Sequence, residues 1–570
     1  MRLPKILIFI FLFGGVLEVK QLIAQPISVG IPFFEEALRR GQLMGKLDTN
    51  VSLNIRPIHV GKAFKISSPY GLDTNLFPTD TLNYAKWADL SFWKGRGRLL
   101  MLPVYTHTQF NQHHPYGWSD GPRIPNRGFQ QYASAGVYAK IGFLEMQYRP
   151  EVVWAQNKDF DSPPHRARGI DNPERMGSET YREYFRGQSF IKAHLGPIAM
   201  GYSTENIWWG PGQKNAIIMS NNAPGFGHAT IHTNRPIHTR YGSLEFQWIA
   251  TALEYSGFYP YPRDYTVGNW PPTMEAPARD TTRTSKYHSY VSAAVFSVQP
   301  KWTPGLFIGA TRVDQRRNEP ERLFQYLTNV ATPSDPVATL QNNGIISVFA
   351  RYLLPKAHAE FYVEMGREDW FWDMEDLITN PYYTGAWLAG FKKMYALAGK
   401  DRWLEVYGEV TKIQAPVANY SRSVGYSFYT NGDVPTGWTH RGQVLGAGIG
   451  PGSNMNTLGV RWGKGFHTFG VHAERVVYNE DLLYHRILYL KLNPGLNQFF
   501  IDDSKHFVDW GLKFTHHTSF NKLMVGYRFH LLRTYNFNWA YDPFGAPGPF
   551  RFPGVNVWSF NADLSCVYRF

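Results

Sequence analysis

The 570-residue chain contains a single cysteine, Cys566. That excludes a disulfide within the chain, and with no cysteine near the amino terminus there is nothing there to carry a lipid anchor. Long apolar runs are just as scarce. Only Ile6 to Leu17 is continuously apolar enough to notice, and it is shorter than the roughly 20 residues a membrane helix needs. Mean hydropathy is −0.34, too polar for a bundle of membrane helices. The formal charge of +13 is spread along the chain without a long basic block. Nucleic acid therefore has no obvious tract to bind. For an exported basic protein, acidic lipid headgroups and acidic polysaccharide are the better-matched partners. Enzyme signatures are missing too. There is no H-E-x-x-H zinc helix and no G-x-S-x-G nucleophile elbow. Gly446, Gly448 and Gly450 stand in GAGIGPG, whose spacing is not a dinucleotide fingerprint. His113 and His114 are adjacent, so on a strand they would point opposite ways; they read as a solvated loop pair rather than as metal ligands. No residue is assigned to catalysis, a metal or a cofactor.

What the chain does have is aromatic residues, at 16%, together with 52 glycines and 38 prolines. That mixture favours strands, interfacial belts and turns. The clearest strand is the last. Trp558, Phe560, Ala562, Leu564, Cys566, Tyr568 and Phe570 alternate with Ser559, Asn561, Asp563, Ser565, Val567 and Arg569. One face is apolar and the other mostly polar, and the chain ends on an aromatic residue, as in an outer-membrane barrel strand. The same period of two recurs at Leu244-Phe246-Trp248, Phe361-Val363-Met365, Leu404-Val406, Val508-Trp510-Leu512-Phe514 and Leu523-Val525-Tyr527-Phe529-Leu531. Charges of both signs lie on the alternate face, where they can pair across a wet lumen; such pairs account for the abundant carboxylates without a glycosidase couple. Open sheet edges cannot face lipid, so these strands must close.

At the amino terminus, Arg2 and Lys5 precede the apolar run and Ala24 follows it, the arrangement of a secretory signal. Residues 33–45 (FFEEALRRGQLMG) carry helical periodicity and end at Gly45. The expected organisation is a signal peptide over 1–24, a periplasmic or barrel-plugging helical segment over 25–50, and one barrel over 51–570. A chain of this size has room for roughly 16 to 20 strands. The run Glu368 to Asp373 (EDWFWD) is either an interfacial aromatic girdle with a charged tip or a loop for sugar or cation.

One segment is unlike a strand. Glu205-Asn206-Ile207-Trp208-Trp209-Gly210-Pro211-Gly212 sets two tryptophans against a Gly-Pro-Gly turn, and Asn221-Asn222 precedes another Pro-Gly. Indole faces stack on sugar rings, while Glu205, Asn206, Asn221, Asn222 and Arg235 offer hydrogen bonds to hydroxyls and carboxylates. The competing reading is a plug in which Trp208 and Trp209 pack inside the lumen. Both stay open at this point, and they are compatible.

These stretches, ENIWWGPG, MSNNAPGF and the following TNRP, resemble the signature of the Wzi family of capsule assembly proteins, in the form common among Bacteroidetes-type sequences. Supporting stretches are HPYGW at 114–118, RPE at 149–151, PER at 173–175, YVEMGR at 362–367 and THRGQ at 439–443. The resemblance implies an all-β, transmembrane antiparallel barrel of about 18 strands. It also implies a small amino-terminal helical element, a lumen blocked by infolded loops, and lectin-like binding of capsular or other surface polysaccharide, with outer-membrane lipid as surroundings. The barrel is expected to be monomeric; a diffusion porin is the alternative function, and an outer-membrane hydrolase a more distant one.

Overall fold

The computed structural model describes residues 26–59, 63–64, 85, 87–160, 170–173, 175–257, 289–317, 342–368, 374–379, 382, 384–399, 402–415, 427–481, 505–539 and 555–570. The expected signal peptide, Glu174, and residues 369–373 of the acidic–aromatic run lie outside them. Among the described residues no helix is long and apolar enough to cross a membrane; strands form the wall.

The wall opens with β1 (Gly97–Asn111), β2 (Gly128–Ile141), β3 (Leu144–Tyr148 continued by Glu151–Ala155) and β4 (Tyr181–Phe185 continued by Phe190–Leu195). It proceeds through β5 (Ile198–Ser203), β6 (His228–Thr233 continued by Ile237–Thr239), β7 (Gly242–Leu253), β8 (Ser289–Pro300), β9 (Leu306–Arg317) and β10 (Asn342–Leu354). It ends with β11 (Ala359–Glu368), β12 (Gly385–Ala396), β13 (Arg402–Lys412), β14 (Asn454–Lys464), β15 (His467–Val477), β16 (Val508–Phe520), β17 (Leu523–Tyr535) and β18 (Val557–Tyr568). Each strand pairs antiparallel with the next. β18 pairs back onto β1, from Asn561↔Asn111 to Tyr568↔Val104, so the 18-stranded sheet has no free edge. The barrel and its strand number agree with the resemblance. The wall itself starts at Gly97, however, and residues 51–59 lie within the lumen.

The alternation read from sequence sets the two faces. Phe361 (54% exposed), Trp510 (51%), Trp558 (58%) and Tyr568 (46%) look outward, and Cys566 falls on that same face of β18. Their inward neighbours are polar and paired: Arg351–Glu360 at 2.6 Å, Lys513–Glu474 at 2.6 Å, Arg528–Asp563 at 2.7 Å and Arg461–Glu405 at 3.1 Å. Burying such charges is tolerable because each finds a partner.

Connections alternate in length. Gly142–Phe143, Gly196–Pro197 and Asn521–Lys522 are short turns at one end; the links after β1, β3, β5 and β13 are long and leave from the other. Outer-membrane barrels put short turns in the periplasm and long loops outside. Exposed aromatics ring both ends, with Trp510 and Trp558 below the long loops and Phe143, Tyr241, Trp302 and Phe520 at the short turns. Phe570 closes the short-turn end: its carbonyl accepts from Ala85 N–H at 3.2 Å and its ring meets Trp87 edge-on.

The helix predicted over 33–45 is α1 (Pro32–Leu43). Proline suits its first turn, where no backbone donor is needed, and Gly45 follows with φ +67°. It is a plug: Phe34, Ala37 and Leu38 pack on Tyr105, Phe466 and Met524 of the wall, and Leu43 on Phe307, Leu353 and Trp403. Arg39 meets Glu360 at 3.3 Å, and Arg461 meets Glu36 at 2.7 Å. The helix therefore seals the short-turn half of the lumen.

Candidate functional site

The tryptophan segment belongs to the β5–β6 connection, residues 204–227. Its Gly-Pro-Gly turn ends any sheet ladder, and the chain folds inward instead. Trp208 and Trp209 pair with Arg56 and Ile55 of the amino-terminal segment. Trp209 is wholly buried; its indole N–H donates to Gln247 Oε1 on β7 at 2.8 Å. Trp208 lies under the Arg56 guanidinium, 4.5 Å from the ring centre. Arg56 pairs in turn with Glu35 of α1 at 2.8 Å and donates to the Gly212 carbonyl at 3.0 Å. Burial pulls the Arg56 pKa down, against the favourable charge of Glu35.

The polar candidates are engaged in the same block. Glu205 accepts from Lys192 Nζ at 2.5 Å and from the Ser203 hydroxyl at 2.9 Å. Asn206 donates to the Ala223 carbonyl at 2.7 Å and accepts from Gln188 at 2.7 Å. Asn221 donates to the Ser119 carbonyl at 3.0 Å. Asn222 accepts from Ser119 N–H and donates to the Val444 carbonyl, both at 3.0 Å. All six side chains thus sit in one interlocked block, and a sugar would reach either indole only if that block opened. Arg235 is apart from them. It is exposed in the break of β6, toward the short turns.

Three contacts that sequence reading missed hold the block. Glu409 on β13 accepts the consecutive backbone N–H groups of Gln213, Lys214 and Asn215 at 2.8, 3.0 and 2.9 Å. Trp438 donates to the Ile218 carbonyl and Tyr429 to the Ile217 carbonyl, each at 2.6 Å. Both come from the β13–β14 connection, which also folds inward; Trp438, Leu445 and Ala447 share a core with Trp209, Ile217 and Ile218. GAGIGPG has its reason here. A Cβ on Gly446 would lie 2.3 Å from the Ile217 carbonyl, and one on Gly448 2.2 Å from Asn222 Oδ1. Only glycine lets two loops approach this closely.

The β1–β2 connection joins them. Gly121 N–H donates to the Asn221 carbonyl at 2.6 Å. Burial pushes the Asp120 carboxyl up to about 6, while Arg528 pulls it down. In this connection His113 and His114 are not a solvated pair: their Nδ1 atoms are 3.3 Å apart, and His114 is buried against Phe537. The turn after Asn111 releases them from strand geometry, so they face each other instead of alternating.

Three infolded connections and the amino-terminal plug thus fill the barrel and leave a loop-built outer face. Among solved structures, the chain is similar to Wzi, an outer-membrane protein involved in group 1 capsule assembly in Escherichia coli and a carbohydrate-binding β-barrel. The match covers 95% of this chain and 98% of that one, with 12% identity and a TM-score of 0.55. Pseudomonas putida OprB (12% identity, 83% and 94% covered, TM-score 0.35) and Pseudomonas aeruginosa OccK5 (10%, 84% and 100%, 0.38) overlap less well. No curated protein matches. The family model of the capsule assembly protein Wzi matches residues 109–467, more than half of the chain and the span holding all three infolded connections, and so the chain belongs to the Wzi capsule assembly family.

Proposed function

We propose that this outer-membrane barrel binds capsular or other surface polysaccharide at its outer, long-loop face and holds it at the cell surface without catalysis. The observation that carries this reading is the blocked lumen: three infolded connections and α1 replace the open channel of a porin with a fixed platform. Family membership and the carbohydrate binding of the structurally similar Escherichia coli protein support it. Trp208, Trp209, Glu205, Asn206, Asn221 and Asn222 serve by holding the platform in shape. Contact with polymer falls to exposed groups around it.

One such group is a basic corner beside β2 and β3. Lys158 is exposed, Arg127 is half-buried and donates to the Asp159 backbone carbonyl at 2.5 Å, and Arg175, mostly buried, pairs with the Asp159 carboxylate at 2.8 Å. Cations there suit an acidic glycan, and a repeating polymer needs only modest affinity per site to be retained. The test is calorimetric binding of purified acidic capsular polysaccharide to the detergent-solubilised barrel, alongside conductance in planar bilayers. Saturable binding that weakens in the Arg127→Ala/Arg175→Ala variant, with almost no conductance, is the expected result. Steady channel conductance without glycan binding would instead establish a porin.

A further inference from the structure

Away from the tryptophan block, three side chains from distant parts of the sequence meet at the short-turn end of the lumen. His59 belongs to the amino-terminal segment that runs up from α1. Glu145 stands on β3, one residue beyond the Gly142–Phe143 turn and Leu144. His194 stands on β4, beside the Gly196–Pro197 turn. His59 Nε2 is 2.8 Å from Glu145 Oε2, and His194 Nε2 is 3.1 Å from that same oxygen. The imidazoles meet edge to face with centroids 5.4 Å apart, and the ligand-type atoms of all three residues lie within 4.8 Å of one another.

We propose that His59, Glu145 and His194 form a binding site for a divalent transition-metal cation, zinc foremost, that latches the lumenal segment to the barrel wall. Zinc takes imidazole nitrogen and carboxylate oxygen at about 2.0–2.2 Å in a tetrahedron, whose edge is then about 3.3 Å. The two nitrogen–oxygen separations are already close to that edge, so a cation enters with small side-chain shifts. Two imidazoles and one carboxylate favour zinc over magnesium or calcium, which prefer all-oxygen sites.

The surroundings suit the task. Glu145 uses its two oxygens separately: Oε1 faces Lys140 Nζ at 3.7 Å, which leaves Oε2 for the histidines. The other nearby lysine, Lys192, is neutralised by Glu205. Asn234 Nδ2 donates to His194 Nδ1 at 3.2 Å; with a cation on Nε2 the proton sits on Nδ1, and a turn of the amide brings its oxygen, which has no hydrogen-bond partner among the described residues, round to accept it. A small cavity lined by His59, Lys192, His232, Asn234 and exposed Arg235 adjoins the cluster and offers a route from solvent. A water from that side would complete the coordination.

The inference is independent of what the outer face binds. Untagged full-length protein, stripped with chelator and dialysed, is titrated with zinc against a chromophoric indicator, with bound metal counted by mass spectrometry. One zinc per chain is expected, with no competition from millimolar magnesium or calcium. His59→Ala, His194→Ala and Glu145→Gln should each weaken binding at least about tenfold, while His113→Ala/His114→Ala should not. His59 lies outside the wall, so its variant leaves barrel closure intact, which heat-modifiable migration verifies. Zinc should also slow proteolysis of the amino-terminal segment in wild type alone. Zinc uptake by His59→Ala equal to wild type, or none by folded wild type, overturns the proposal.

Discussion

Glu409, on the barrel wall, accepts the backbone N–H of Asn215 at 2.9 Å, and with the two preceding amides it clamps the tip of the β5–β6 connection deep in the lumen. A carboxylate can accept several N–H groups at once, whereas a carboxamide would turn a donor toward some of them. Glu409→Gln should therefore release the tip at a cost of about 1.5–3 kcal/mol, the range for a hydrogen bond to a charged group. Limited trypsinolysis reads the release as new cleavage after Lys214 in a barrel that still migrates as folded.

Gly446→Ala tests the close approach of the two loops. The added methyl meets the Ile217 carbonyl and the Tyr429 hydroxyl, so the β13–β14 connection must back away. The expected outcome is new tryptic cleavage after Arg441 in that connection, with unchanged membrane insertion and, because α1 still seals the short-turn half, unchanged conductance.

Trp209→Ala removes a wholly buried indole and should cost about 3–5 kcal/mol of loop packing. Polysaccharide binding should fall together with loop protection from protease. Loss of binding while protection stays at wild-type level would assign the indole a direct role with sugar.

The plug should respond to acid. Burial alone would raise the Glu36 carboxyl, but the positive charges of Arg461 and Arg40 hold it down to about 2, below its ordinary 4.5. A carboxyl with a lowered folded pKa adds stability above its ordinary pKa and loses it as protons bind. Docking of α1 should therefore be constant from neutral pH to about 4.5 and weaken progressively toward 2. Proteolysis of the amino-terminal segment with an acid protease across that range checks it, and Glu36→Gln should flatten the profile.

Deleting β18 should abolish assembly. Its pairing with β1 and β17 is the closure that leaves no edge facing lipid. Heat-modifiable migration of the truncated chain in native membranes is the readout, and loss of the folded species is expected.

The wall was legible because its signal is local. Trp510 and Leu512 against Asp509 and Gly511, or Phe361 and Val363 against Glu360 and Tyr362, carry the period of two in adjacent residues. Lipid outside and a polar lumen inside impose it on each strand separately. α1 was legible for the same reason. The site was legible only as an anomaly: the Gly-Pro-Gly turn beside Trp208 and Trp209 marked a departure from the sheet, yet nothing nearby says where the departing chain goes.

Its destination rests on partners far along the sequence. Gln247, Glu409, Trp438 and Gly446 receive the β5–β6 connection, and His59 meets Glu145 and His194, because closure of the barrel brings those strands around one lumen. The sequence by itself determined the barrel, its two faces, its helix and the turn that breaks the ladder, since each follows from neighbouring residues and the solvent they face. Only the tertiary structure decided that the tryptophans are buried, that the histidines converge, and that the lumen is filled, since those depend on contacts between residues far apart in the sequence that no local pattern encodes.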